Sequence, residues 1–132
     1  MDLIKLYENA IYYIAAINYN LKINDYNTIL DKFISSYNET SWAIITAYNP
    51  QSIVCNIELN KEANDLLLLE ISNFNYFIVE STDVKQKWNT EIGYLILGIN
   101  LEEATKLGKK YNQRAIVFGE IKKMASIIDL AF

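Results

Sequence analysis

Residues 41–52, SWAIITAYNPQS, constrain the fold of this chain more than any other stretch. In an extended backbone Trp42, Ile44, Thr46 and Tyr48 share one face, and Ala43, Ile45 and Ala47 share the other. Both faces are mostly apolar, which predicts an interior strand covered on each side. The alanines are small enough to let a helix approach closely. Asn49-Pro50 then turns the chain, since proline disfavours the right-handed helical region for the residue before it and suits the second position of a turn.

From that strand onward the pattern predicts a helix over 57–71, strands over 76–80 and 91–99, a helix to about 111, and a strand over 114–124. Leu59, Ala63, Leu66, Leu67 and Leu69 give the first helix more than one apolar side, so it reads as well buried. Asn100, with Glu103 three residues on, forms a capping box for the second, whose inner side is Leu101, Ala104 and Leu107. Residues 81–89 read as a polar loop and the apolar tail, 125–132, as packing back. The order strand, helix, strand, strand, helix, strand matches the split βαβ, ferredoxin-like unit, with both helices on one face.

Upstream, residues 2–10 read as a short helix with Asp2 as cap. The β-branched and aromatic run over 11–23 favours a strand, although Ala10, Ile14, Ile17 and Leu21 also fit a helical stripe. Asn24 or Asp25 then caps a helix to about 37, with Ile29, Leu30, Phe33 and Ile34 inward. The expectation is an α+β chain forming a single domain over 1–132. It has a mixed sheet of about five strands, with a βαββαβ unit after an N-terminal helix-strand-helix segment.

Composition excludes several chemistries. The chain of 132 residues has no histidine and one cysteine, Cys55. Ser-His-Asp and Cys-His catalysis, histidine zinc sites and thiolate metal sites are therefore out, and any general base is a carboxylate, lysine or tyrosine. No cofactor is implied. The net charge of −4 argues against a nucleic-acid partner. Lys106, Lys109, Lys110, Arg114, Lys122 and Lys123 gather in the last quarter, where a solvated helix end accounts for them. With no signal-like start, no apolar run of about 18 residues and a lone cysteine, the expected location is cytoplasmic, without a membrane partner.

Several short patterns resemble a small bacterial family, the domain of unknown function 3293. Its Thr-Ala-aromatic-Asn-Pro-x-Ser element reads here as Thr46-Ala47-Tyr48-Asn49-Pro50-Gln51-Ser52. Asn60 and Asn64 follow in the next helix, then Trp88 and Glu91, Gly98-Ile99, and Gln113-Arg114-Ala115-Ile116-Val117. The likeness covers roughly residues 42–121. Ile92-Gly93 stands where a small hydroxyl residue is expected after the acid. The resemblance implies an intracellular α+β domain and no particular activity.

Thr46, Tyr48, Asn49 and Ser52 lie where a strand ends, turns and leads toward a helix, a common place for a ligand. Asn60 and Asn64 sit one turn apart on one helix face. Gln113 and Arg114 begin the last strand. These eight residues are the candidate ligand-binding set, although ordinary turn and cap formation explains the same residue types. The expected topology sets Gln113 beside the Trp42 strand but at the opposite end from Asn49, so that the two would not share a site. No catalytic or metal-binding set is assigned. The leading expectation is a non-catalytic binding or regulatory domain for a small polar ligand, nucleotide-like ones among the candidates, or for a protein partner. An enzyme using Glu80, Asp83 or Glu91 is the alternative, and a structural protein, such as a homodimer through an edge strand, is a third.

Overall fold

The computed structural model describes residues 3–50, 53–83 and 90–131. Asp2, Ser52 and Trp88, which carry expectations above, lie outside them. The described residues form four helices and seven strands. In chain order they are α1 Leu3–Glu8, β1 Ile11–Ile14, β2 Tyr19–Leu21, α2 Thr28–Ser36, β3 Ser41–Ile45 and α3 Ile57–Glu70, then β4 Asn75–Thr82, β5 Glu91–Leu97, α4 Leu101–Lys110, β6 Ala115–Glu120 and β7 Ser126–Asp129. The strands make one sheet in the order β2-β1-β4-β5-β3-β6-β7, with every neighbouring pair antiparallel.

The expected mixed sheet of about five strands is therefore corrected to an antiparallel sheet of seven. One extra strand arises because residues 11–23 fold as a hairpin, neither a single strand nor a helix. A single 3-10 turn, Ala15–Ile17, reverses the chain, and Asn18 closes it at φ 48°, a left-handed conformation asparagine tolerates better than most residues. The other comes from the tail, where β7 pairs along β6.

β3 is central, between β5 and β6, as its two apolar faces require. Ala43 and Ile45 meet α3 and α4 through Leu67, Ile71 and Ala104. Trp42 and Ile44 face a second core with Leu30 and Ile34 of α2 and Tyr12 and Ile14 of β1. The outer ends of the sheet meet. Ile23, just after β2, bridges Ala125, just before β7, and Asn24 N–H donates to the Ala125 carbonyl at 2.7 Å. The sheet thus curls around the α2 side.

Three helices depart from their sequence reading in detail. Asn27, not Asn24 or Asp25, precedes α2, and its side chain makes no cap bond. It accepts instead from Lys22 N–H at 2.8 Å and from the Tyr19 hydroxyl at 2.7 Å, tying α2 to the hairpin. Ile29, expected inward, is exposed. On α3, Leu59, Leu66 and Leu69 are exposed at 55, 58 and 72%, whereas Asn60, Asn64 and Leu67 are buried. The face at positions 60, 64, 67 and 71 turns to the sheet because it meets the main chain leaving β3, which needs polar partners. The capping box of α4 forms as expected: Asn100 accepts from Glu103 N–H at 2.8 Å and Glu103 accepts from Asn100 N–H at 3.2 Å. Ala104 is buried there, but Leu101 is exposed.

Packing alone holds Trp42, whose buried indole N–H has no partner among the described residues. The ring lies against Gly119 on β6, where a Cβ would come within 2.2 Å of Cζ2. Gly119→Ala is expected to destabilise the protein by about 2 kcal/mol, the usual scale of core overpacking, read as a lower denaturation midpoint at unchanged m-value.

Candidate functional site

The alternation of strand directions gathers the ends of β3, β4 and β7 and the starts of β1, β5 and β6 at one end of the sheet. Gln113, just before β6, therefore lies at the same end as Tyr48 and Asn49. The expectation of opposite ends is corrected, because β6 runs antiparallel to β3 and begins where β3 finishes. The Gln113 amide donates to the Tyr48 carbonyl at 3.0 Å and to that of Tyr111 at 3.3 Å.

The main chain leaving β3 is held by side chains from three directions. Asn64 accepts from Ala47 N–H at 2.9 Å and donates to the Ile92 carbonyl at 2.8 Å, joining α3, β3 and β5. Asn60 accepts from Asn49 N–H and donates to Asn49 Oδ1, both at 2.9 Å. Thr46 donates to the Ile92 carbonyl at 2.6 Å and accepts from Tyr48 N–H at 3.0 Å. Asn49 sits at φ 45°, out of the right-handed helical region that Pro50 disfavours, and its Oδ1 also accepts from Cys55 N–H at 3.0 Å. Its amide N–H goes to a carboxylate, Glu91 Oε2, at 2.7 Å.

Thr46, Tyr48, Asn49, Asn60, Asn64 and Gln113 are thus brought together, and their hydrogen bonds run mainly to main chain and to one another. Arg114 stands apart and pairs with Asp129 at 3.1 and 3.3 Å. Of the three acids considered, Glu80 is exposed, Asp83 is buried, and Glu91 enters the network. No cluster of acids or cysteine suited to a metal ion occurs among the described residues.

Beside this network, on the inner side of the curl, is a pocket of about 40 Å³. Tyr7, Tyr12, Thr46, Ser81, Glu91 and Gln113 give it polar walls. Its floor is the α2-side core, reached through Ile44, Val79 and Val117. Gly93 leaves one wall bare; a Cβ there would lie 2.9 Å from the Ile45 carbonyl oxygen and 3.1 Å from Thr46 Cβ. Burial raises the pKa of Glu91 above the ordinary glutamate value, with the Asn49 hydrogen bond opposing the shift. Burial, with the charges of Tyr7 and Glu91, also raises that of Tyr12, whose hydroxyl donates to the Tyr7 carbonyl at 2.7 Å.

A family model described as Protein of unknown function (DUF3293) matches residues 45–116, more than half of the chain. The chain belongs to that family. No curated protein and no solved structure matches it. The DUF3293 segment contains the whole amide network and the β4 and β5 walls of the pocket, while Ile44 of β3, Val117 and Ile127 lie outside it and Tyr7 and Tyr12 come from the chain before it. The pocket residues Tyr7 and Ser81 carry no signal of their own in the sequence, and Gly93 stands out there only as part of the departure from the family pattern. Glu91 does carry one. It shares a strand face with Gly93, Leu95 and Leu97, so it places a charge at the end of an otherwise apolar face.

Asn64→Ala would leave the buried Ala47 N–H without its partner and strip one of its two side-chain hydrogen bonds from the Ile92 carbonyl, which keeps that of Thr46. Each lost partner costs on the order of 1–3 kcal/mol. The expected outcome is a loss of about 3 kcal/mol in chemical denaturation, larger than for a solvent-facing asparagine such as Asn75.

Proposed function

We propose that this protein is a non-catalytic binding module that takes a small polar ligand in the pocket at the end of the curled sheet, with Glu91 as the recognition group. The observation that carries this reading is the position of Glu91. It is a half-buried carboxylate in a pocket wall, held by the Asn49 amide, and no lysine or arginine pairs with it among the described residues. A carboxylate removed from water without a cation is unfavourable, and such groups concentrate at functional sites. On this reading Thr46, Asn49, Asn60, Asn64 and Gln113 are positioning residues that fix the rim. The six elements from β3 to β6 are read as a ferredoxin-like unit within the larger sheet, supported by the spatial order β4-β5-β3-β6 and by α3 and α4 packing on one face.

A carboxylate enzyme is the second reading, favoured by the raised pKa of Glu91 in a pocket. The two readings part on turnover, since a binding module returns its ligand unchanged. An edge-strand homodimer draws little support from edges only three and four residues long.

A thermal-shift screen of amino acids, amines, nucleotides and divalent ions tests the site. A ligand at 100 times its Kd adds about 2.7 kcal/mol, a rise of several degrees. That rise is expected to vanish in Ala115→Leu, which fills the pocket from β6; a rise that survives this change places the ligand elsewhere.

Glu91 also gives a signed pH prediction. Its pKa in the folded protein is raised above 4.5. Its contribution to stability is therefore fully present below the unfolded value and is lost as pH rises through the folded one. Glu91→Gln is expected to melt at the wild-type temperature near about pH 4 and above it at pH 7 in the ligand-free protein. A lower melting temperature for the variant at pH 7 would mean that the carboxylate gains more from a partner than burial costs it.

A further inference from the structure

We infer that the ligand presents a primary ammonium group to Glu91; this rests on the pocket being the binding site. The hydrogen-bonding state of Tyr12, Thr46, Gln113 and Glu91 supports it. The Tyr12 hydroxyl proton is spent on the Tyr7 carbonyl at 2.7 Å, and that of Thr46 on the Ile92 carbonyl at 2.6 Å. Both amide protons of Gln113 are engaged, at 3.0 and 3.3 Å. What these residues have left to offer is lone pairs: Glu91 Oε1, Gln113 Oε1 and the Tyr12 oxygen, none of which accepts a hydrogen bond from another described residue.

Among the described residues, no lysine or arginine lines the pocket. Arg114, the next residue along from Gln113, is paired with Asp129. An anion entering here would meet a carboxylate with no cation among the described residues to offset it. An ammonium group meets the opposite: three donors against several acceptors and one complementary charge, in a place where burial strengthens the pairing. Size points the same way. A pocket of about 40 Å³ has space for roughly three waters, which suits an ammonium and the carbon or two next to it. It does not enclose a whole nucleotide. The remainder of a larger ligand would pass out through the mouth, so the ammonium could belong to a free amine or to a lysine side chain.

Titration of the uniformly 15N-labelled protein at pH 7 and constant ionic strength tests this. The probes are ethylammonium, Nα-acetyl-lysine amide, n-propanol, acetate and inorganic phosphate. Ethylammonium is expected to shift the Gly93 and Ala115 amide signals saturably, with affinity at least tenfold above n-propanol and at least tenfold above its affinity for Glu91→Gln. Equal binding of Nα-acetyl-lysine amide assigns the source as a lysine side chain; binding of ethylammonium alone assigns it as a free small amine. Saturable shifts of the same amides with acetate or phosphate but not ethylammonium would overturn the ammonium assignment and leave the pocket as the site. Equal response to n-propanol and ethylammonium would do the same. Silence of these amides toward all five probes would overturn both. Should Glu91→Gln not fold, the wild-type comparison of ethylammonium with n-propanol and acetate decides the question, with Ala115→Leu as the blocked control.

Discussion

The structure depends on how β3 leaves the sheet. As a strand buried on both faces, it carries main-chain N–H and C=O groups into a place where water cannot serve them. Carboxamides meet that need, because each combines a donor and an acceptor on one rigid plane. Asn64 holds Ala47, Asn60 holds Asn49, and Gln113 holds Tyr48. The three amides come from α3 and from the segment before β6, so satisfying one strand end also fixes α3 and β6 relative to β3. Thr46 and Asn64 both bond the Ile92 carbonyl and bring in β5. The same tie places Glu91, one residue away, against Asn49.

Much of this was legible in the sequence where local rules are strong. The two-faced apolar pattern of 42–47 marked an interior strand, and its alanines do meet helix side chains in the core. The spacing of Asn100 and Glu103 marked the start of α4. Less was legible where geometry is decided at a distance. The leucines of α3 suggested burial all round, yet the sheet-facing stripe is Asn60, Asn64, Leu67 and Ile71, because the partner surface there is main chain rather than side chain. Hydrophobicity alone cannot rank an asparagine above a leucine for such a position. Residues 11–23 had the composition of a strand but not the reversal, which rests on Asn18 accepting a positive φ.

Asparagine was the hardest residue to read. It recurs along the whole chain, so no single position stands out by residue type. Yet five of the six non-glycine residues with positive φ among the described residues are asparagines. Asn38 and Asn112 follow the ends of α2 and α4, where a left-handed residue closes the last turn. Others are cross-links. One residue type thus does two structural jobs, and spacing along the chain distinguishes neither from ligand recognition. That is why the sequence reading groups Thr46, Tyr48, Asn49, Asn60 and Asn64, which the fold does bring together, but directs outward hydrogen bonds that run mainly to main chain and to one another.

The division of labour at this end of the sheet follows from the same economy of hydrogen bonds. Neutral amides that satisfy buried main chain add stability and are largely occupied there, so they offer a ligand little beyond a lone pair such as that of Gln113 Oε1. A half-buried carboxylate does the reverse: its ionised form is disfavoured in the folded chain, and its unspent lone pairs can bind. Gly93 makes the two compatible. Any side chain there would press on the Ile45 carbonyl and Thr46 and force β5 from β3. Without one, the strands stay close enough for Thr46 and Asn64 to share the Ile92 carbonyl, and the wall between Glu91 and Leu95 stays open. The rigid part of the site and its receptive part are therefore neighbours on one strand, separated by a single missing Cβ.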